Sequence, residues 1–281
     1  MLYSRANAFC IPFLRWAGGK SWLLPTWYAL IKELKFKQYH EPFLGGGTLF
    51  FALPGEHKSF LSDINSELIE TYQMVKDHPE DVYNSFLKLR NTEDDYYAIR
   101  KRVCRTPITR AARFIYLNQT SYNGLFRVNK QGKYNVPYGF RKNWCYQKSR
   151  IVDASKFLIK HDAVITHQDF ASAIAMVAEG DFVFFDPPYT VSKEGGNGFI
   201  EYNEKIFSLD DQRRLSYCID LIKQRGAYYM LTNALHPTIL EIFEKGDRRF
   251  EVARSSCIGG KAAVRGLIKE YLFTNIPEVT K

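Results

Sequence analysis

No uninterrupted apolar run in this 281-residue chain approaches the roughly 18 residues of a membrane span. The opening "MLYSRANAFC" also lacks the long apolar centre of a secretory signal. A soluble, cytoplasmic protein with no membrane contact is expected. Cysteine is scarce and scattered: Cys10, Cys104, Cys145, Cys218 and Cys257 form no C-x-x-C pair. This excludes a disulfide framework and a zinc cluster, so reduced packing cysteines and no metal are expected. The third absence is regional. Between Tyr96 and Val152 there is no Asp or Glu, although the chain holds 30 acidic residues.

That same stretch carries 13 of the 39 Lys and Arg, so the rest of the chain sums to −4 against a total of +9. A region emptied of carboxylates suits a polyanion, because each acid near a phosphate repels it and each cation releases a counterion. Tyr122, Asn123, Phe126, Tyr134, Asn135, Tyr138, Phe140 and Trp144 interleave the charges, as stacking and base-edge readers would. The plainer alternative is a solvated basic face.

Two α/β portions flank this middle. In the first, "QYHEPFLGGG" and "KSFLSD" read as strands and "INSELIETYQMV" as a helix. In the second, "DAVITHQDF" reads as a strand, "ASAIAMVAEG" as a helix and "DFVFFDPPY" as a central parallel strand. A helix capped by Ser208 with Asp211, and a strand "AYYMLTN", follow. Alternating strands and helices imply a doubly wound sheet. The middle reads as helices to about Gln119, then a hairpin of "LFRV" and "KYNVPYG" around the turn "NKQG". The fold class expected is therefore α/β, a Rossmann-like sheet formed by residues 1–68 and 150–281, with a helical and β-hairpin module inserted at 69–149.

Two motifs carry chemistry. In "EPFLGGGTLF" three glycines after a strand permit a tight turn and close approach of a ligand. Asp63 at the end of the next strand stands where such sheets place an acceptor for ribose hydroxyls, though it could equally cap the helix at Ile64. In "DPPY", Asp186 to Tyr189, a carboxylate, a carbonyl between two prolines and an aromatic face lie within four residues, at the strand end where open α/β sheets bind ligands. Together they suit a flat group bearing an amine, such as a nucleobase. The Gly-Lys-Ser at 19–21 is no Walker A loop, because the glycine required five residues before Gly19 is Leu14.

The runs "FLRWAGGK", "EPFLGGG", "LSDIN", "NQTSYNGLFRVNKQGKYNVPYG" and "FFDPPY" occur in the order of the Dam-like adenine-specific DNA methyltransferases, and the chain resembles that family from about Phe13 to Tyr271. The resemblance implies S-adenosyl-L-methionine as cofactor, held by Trp16, Lys20, Phe43, Gly45 and Asp63, with Asp169 or Phe170 at its adenine and Asp186 beside it. It implies Asp186, Pro187, Pro188 and Tyr189 as the catalytic set acting on a flipped adenine of double-stranded DNA, with no protein partner required. Tyr122, Asn123 and Leu125 would meet the bases or fill the space of the flipped one, Arg127 would hold a phosphate and the hairpin tip near Lys130 would track the backbone. Pro137, Tyr138, Arg141 and Lys142 would complete the surface, and Arg15 would read a base or be an ordinary surface Arg.

The pattern departs from some relatives after Gly139, where Phe140 replaces an Arg. GATC or a similar short site is the expected target. Methylation at carbon-5 of cytosine needs a nucleophilic cysteine, usually after proline, and no Pro-Cys exists here. Transfer to cytosine's amine more often goes with Ser-Pro-Pro-Tyr, and amide methylation of protein or RNA with Asn at the first position. A non-catalytic DNA-binding module with a relic pocket is disfavoured by the intact motifs.

Overall fold

A computed structural model describes residues 10–141, 146–189, 207–255 and 267–278. In chain order the elements are α1 (Leu24–Ile31), β1 (Tyr39–Glu41), β2 (Ser59–Asp63), α2 (Ser66–Asp77), α3 (Pro79–Phe86), α4 (Glu93–Lys101) and α5 (Pro107–Thr120). There follow α6 (Lys148–Lys160), β3 (Val164–His167), α7 (Phe170–Ala173), β4 (Phe182–Phe185), α8 (Leu209–Gln224), β5 (Tyr228–Ala234), α9 (Pro237–Phe243), β6 (Arg248–Ser255) and β7 (Leu267–Thr274). Two compact units result, one of Met1–Ala29, Leu44–Lys58 and Asp63–His167, the other of Leu30–Phe43, Ser59–Ser62 and Gln168–Lys281. The module proposed for 69–149 falls within the first.

The first unit is built round α5. Pro107 sits at its first position and Thr106 and Thr109 form a reciprocal capping box, so the helix starts where its orphan N–H groups are satisfied. From Phe114 to Thr120 every side chain is buried. A helix whose last two turns are buried on every side is a central one, and α2 and α3 pack against it.

His161, in the turn after α6, is buried in the same unit, stacked on Phe157 at 4.4 Å, with Nδ1 3.2 Å from the His57 carbonyl. Burial holds its pKa down to about 4. The unfolded chain takes up this proton near pH 6.5 and the native one only near 4. The stabilising contribution is thus complete above 6.5 and drains away as pH falls toward 4, by roughly 1 kcal/mol per pH unit. His161→Phe should flatten the decline of the melting temperature over that window. An unchanged pH profile would remove His161 from the account.

The second unit carries a mixed sheet in which β2, β1, β4 and β5 run parallel in that order. Its far edge differs from the doubly wound expectation. β7 lies antiparallel between β5 and β6, with Asn233 opposite Tyr271 and Glu251 opposite Tyr271 on the other side. β6 reads "RRFEVARS", whose charges follow no clean alternation, so no period-2 signal announces it. All four residues of β4 are buried, as its apolar run implies. It ends at Phe185 rather than Tyr189, because Pro187 and Pro188 have no N–H to extend the ladder.

The expected helix 171–180 is also shorter. One turn of α7 passes into a 3-10 turn at Ile174–Met176, and Arg225 takes the carbonyls of Ile174 at 2.6 Å and Val177 at 3.1 Å. The cap of α8 is formed as read, Ser208 and Asp211 bonding reciprocally. The hairpin of the first unit reduces to short bridges, Val128 to Tyr134 and Ser121 to Tyr138, closed by the Gly132 N–H on the Asn129 carbonyl.

Candidate active site

In the first unit the glycine loop after β1 is shaped by close approach. Gly45 and Gly47 have φ of +47° and +63°. A Cβ on Gly45 would stand 2.8 Å from Trp16 Nε1, and one on Gly46 2.8 Å from Trp16 Cβ. Only glycine therefore lets the indole lie against this backbone. Trp16 also stacks with Phe126 at 5.9 Å, so it joins the loop to the basic ribbon. Lys20 is 5 % exposed, with Nζ 3.3 Å from the Gly18 carbonyl.

Asp63 accepts the Gly45 N–H at 3.0 Å on Oδ2 and the Asn65 N–H at 3.0 Å on Oδ1. Capping of α2 falls instead to Asn65, which accepts from the Leu68 N–H at 3.1 Å. Burial raises the Asp63 pKa, while the N–H groups of Gly45, Asn65 and Ile64 pull it down. The carboxylate is tied to the glycine loop on one oxygen and to the backbone of the capping Asn65 on the other.

In the second unit Phe43 stacks on Phe170 at 5.3 Å, and the Arg214 guanidinium lies 4.9 Å from the Phe170 ring centre. Phe170 is 4 % exposed, and Phe43, partly buried, presents the more open ring. Asp169 caps α7 through the Ala171 N–H and pairs with Arg214 at 2.9 Å. At the end of β4, Thr232 Oγ1 of β5 donates to Asp186 Oδ1 at 2.9 Å. Gln212 of α8 donates to the Pro188 carbonyl at 3.5 Å and is itself held by Asn233 at 2.9 Å. The Tyr189 hydroxyl donates to Glu270 Oε2 of β7 at 2.5 Å, and Pro187 is buried between these anchors. Thr232, Gln212, Asn233, Glu270 and Arg214 escaped the sequence reading, since strand and helix packing brings them here from distant parts of the chain.

The residues proposed for DNA lie in the first unit. Asn118 pins the Arg15 backbone on both sides, accepting from its N–H at 2.8 Å and donating to its carbonyl at 2.5 Å. A Cβ on Gly124 would meet Arg15 Cβ at 2.9 Å, so the tight turn Tyr122–Gly124 rests on this arginine. Burial and the neighbouring Arg141 lower the Arg15 pKa, and its Nη1 is buried with no hydrogen-bond partner among the described residues. Asn123 adopts φ +54°, and Tyr122, 44 % exposed, stands out beside it. Leu125 is half-buried; Arg127, Lys130, Pro137 and Arg141 are exposed. Arg127 bonds Asn135 at 2.8 Å. Tyr138 is buried, with its hydroxyl on Asn91 at 3.0 Å. Phe140 is 64 % exposed at φ +50°. Lys142, like the Trp144 noted among the interleaved aromatics, lies outside the described residues.

The basic stretch is partly internal. Arg110 grips both oxygens of Glu70 at 2.6 and 2.7 Å, Arg113 donates to the Ile99 and Arg100 carbonyls, Arg100 donates to the Val136 carbonyl, and Lys148 pairs with Glu80 at 2.6 Å. Among the described residues no cluster of His, Cys, Asp and Glu could hold a metal, and no helix is long and apolar enough to cross a membrane.

Comparison with known proteins shows the family. The chain is 36 % identical over 274 residues to a Type II methyltransferase of Lactococcus lactis subsp. cremoris, M1.LlaDCHI, covering 94 % of this chain and 95 % of that one. It is 37 % identical over 246 residues to the Type II methyltransferase M.MjaIII of Methanocaldococcus jannaschii, covering 79 % and 84 %. To the DNA adenine methylase of Escherichia coli (strain K12) it is 29 % identical over 280 residues, covering 95 % and 96 %. Residues 16–256 match the family model for D12 class N6 adenine-specific DNA methyltransferases, and the chain belongs to that family.

Proposed function

We propose that this adenine-specific DNA methyltransferase takes its methyl group from S-adenosylmethionine and delivers it to the exocyclic amine of an adenine flipped out of a short duplex site, GATC or similar. The observation that carries this reading is the D-P-P-Y turn, in which Thr232 fixes Asp186 and Glu270 fixes Tyr189 at the end of a buried strand. When bound, S-adenosylmethionine would supply a sulfonium-activated methyl for direct, in-line transfer without a covalent enzyme intermediate, the carbon–sulfur bond breaking as the carbon–nitrogen bond forms and the methylated amine then giving up one proton.

The residues present fit this cofactor. Asp63 takes backbone N–H groups on both oxygens, and a carboxylate's remaining lone pairs suit ribose hydroxyls. Trp16, Lys20 and Gly45 would serve the methionine side together with Phe43, whose ring also suits the adenine beside Asp169 and Phe170.

The remaining work belongs to the chain's own side chains. An adenine amine is a poor nucleophile because its lone pair is delocalised into the ring. Accepting its hydrogens at the Asp186 carboxylate and the Pro187 carbonyl favours a pyramidal nitrogen and stabilises the charge that grows on it. Tyr189 gives the extruded base a stacking platform, since the atom cannot be reached inside a duplex. On the DNA side Arg15, Tyr122, Asn123, Leu125 and Pro137 would face the bases, and Arg127, Lys130, Arg141 and Lys142 the phosphates. Tyr138 would support that surface from beneath rather than touch DNA, given its burial.

Sequencing DNA from cells that express the chain, by a method reporting N6-methyladenine with its flanking bases, tests activity and target together. Methylation confined to one short motif is expected; unmodified DNA overturns the reading. Asp63→Ala should weaken S-adenosylmethionine binding about thirtyfold in calorimetry, the equivalent of about 2 kcal/mol of lost charge-assisted hydrogen bonds. Equal affinity would remove Asp63 from the cofactor site.

A further inference from the structure

Glu270 is a carboxylate for which methyl transfer has no stated use, yet it is 1 % exposed within the second unit. Burying an ionised carboxylate is costly unless donors compensate, so a position like this is expected to be apolar in a sheet that serves only as scaffold. A donor at this site is the Tyr189 hydroxyl, 2.5 Å from Oε2. Burial first, and then the Asp186 and Glu270 carboxylates, hold the Tyr189 pKa well above its ordinary range, so the hydroxyl keeps its proton and donates throughout the working pH range.

The placement follows from strand register. Glu270 lies on β7 opposite Ala234 of β5, and Thr232 lies on β5 opposite Leu272 of β7. The two ends of D-P-P-Y are thereby held from adjacent strands, Asp186 by β5 and Tyr189 by β7. Between them Pro187 and Pro188 restrict the backbone, and Gln212 takes the Pro188 carbonyl. What prolines cannot restrict is rotation of the tyrosine ring about its own side-chain torsions. A bond at the far tip of the ring does restrict it. This also gives a reason for tyrosine here, since phenylalanine offers the same face without the handle.

We propose that Glu270 is a positioning residue for methyl transfer: by accepting the Tyr189 hydroxyl it locks the ring in the orientation on which the flipped adenine stacks. This rests on the reading of Tyr189 as the base's platform. The test is steady-state kinetics with saturating cofactor on wild type, Glu270→Ala, Glu270→Gln, Tyr189→Phe, Tyr189→Ala and the double variant Glu270→Ala/Tyr189→Phe, using a duplex with the mapped site. Glu270→Ala should lower kcat about thirtyfold with KM for DNA and cofactor within about threefold, as expected when an orienting hydrogen bond is lost from the reacting complex.

Glu270→Gln, whose amide oxygen still accepts, should recover kcat to within about threefold of wild type. Tyr189→Phe should lose at least as much as Glu270→Ala, and the double variant should be less than about twofold worse than Tyr189→Phe, because both changes remove the Tyr189–Glu270 bond. Full activity of Tyr189→Phe or Glu270→Ala, or losses that multiply in the double variant, would overturn the proposal. Should Glu270→Ala not fold, the Tyr189→Phe and Glu270→Gln arms decide alone, on the same outcomes. Tyr189→Ala separates the two levels. If it keeps the wild-type rate, the platform reading fails; if it loses the rate while Tyr189→Phe and Glu270→Ala keep theirs, only the role of Glu270 fails.

Discussion

Asp186→Ala is expected to bind duplex DNA as wild type does and to lose methyl transfer by a factor of about 10²–10³. The separation follows from where the groups sit. Asp186 belongs to the second unit, whereas the exposed cations proposed for DNA belong to the first. Removing the carboxylate therefore leaves untouched the cations proposed to hold the duplex. It takes away the group proposed to meet positive charge on the amine as the new bond forms, an interaction that would be stronger in the transition state than before it. Thr232 loses its acceptor but keeps the Phe185 carbonyl within 3.5 Å, so local damage stays small. Asp186→Asn should fall between, retaining an acceptor oxygen without the charge. Single-turnover transfer of labelled methyl, paired with fluorescence anisotropy on the same duplex, reads both quantities. Transfer by the alanine variant at a rate close to wild type would end the assignment of Asp186 as the amine's acceptor.

The second large effect concerns salt. Arg127, Lys130, Lys133 and Arg141 are exposed on the first unit, and four phosphate contacts predict a log–log slope of about −3.6. Affinity for DNA should then fall roughly 150-fold between 50 and 200 mM salt. Lys130→Ala and Lys133→Ala should each flatten the slope by about 0.9. Arg110→Ala should not, because Arg110 spends its charge on Glu70. A slope near zero, or one that responds to Arg110 as strongly as to Lys130, would contradict this assignment of the basic stretch.

Sequence patterns revealed most of what is local and little of what is delivered across the fold. An apolar run announced β4, because such a pattern acts within a few residues, but the strand read to Tyr189 stops at Phe185. Ser208 with Asp211 announced α8 for the same reason. Thr232 and Glu270 are polar residues inside strands, and only the pairing of β5 with β4 and β7 shows that they meet the turn after β4. The missing carboxylates of 96–152 were legible as charge, but not its division between Glu70, backbone carbonyls and solvent. Asp63 stood equally well as cap or ligand by spacing, and the nearby Asn65 decides who caps. Tyr138 looked like its interleaved neighbours, yet Asn91 draws its hydroxyl inward.

The position of β7 between β5 and β6 has a consequence for how the protein is made. β6 leaves the ribosome before the strand that bonds to both it and β5. Until Leu267–Thr274 emerges, β5 shows an open hydrogen-bonding edge and β6 has no mate in this sheet. Such an edge invites pairing with other nascent chains, so the interval before β7 emerges is when aggregation threatens most. The strand that zips this edge shut also carries Glu270, so Tyr189 acquires its anchor in the same late event.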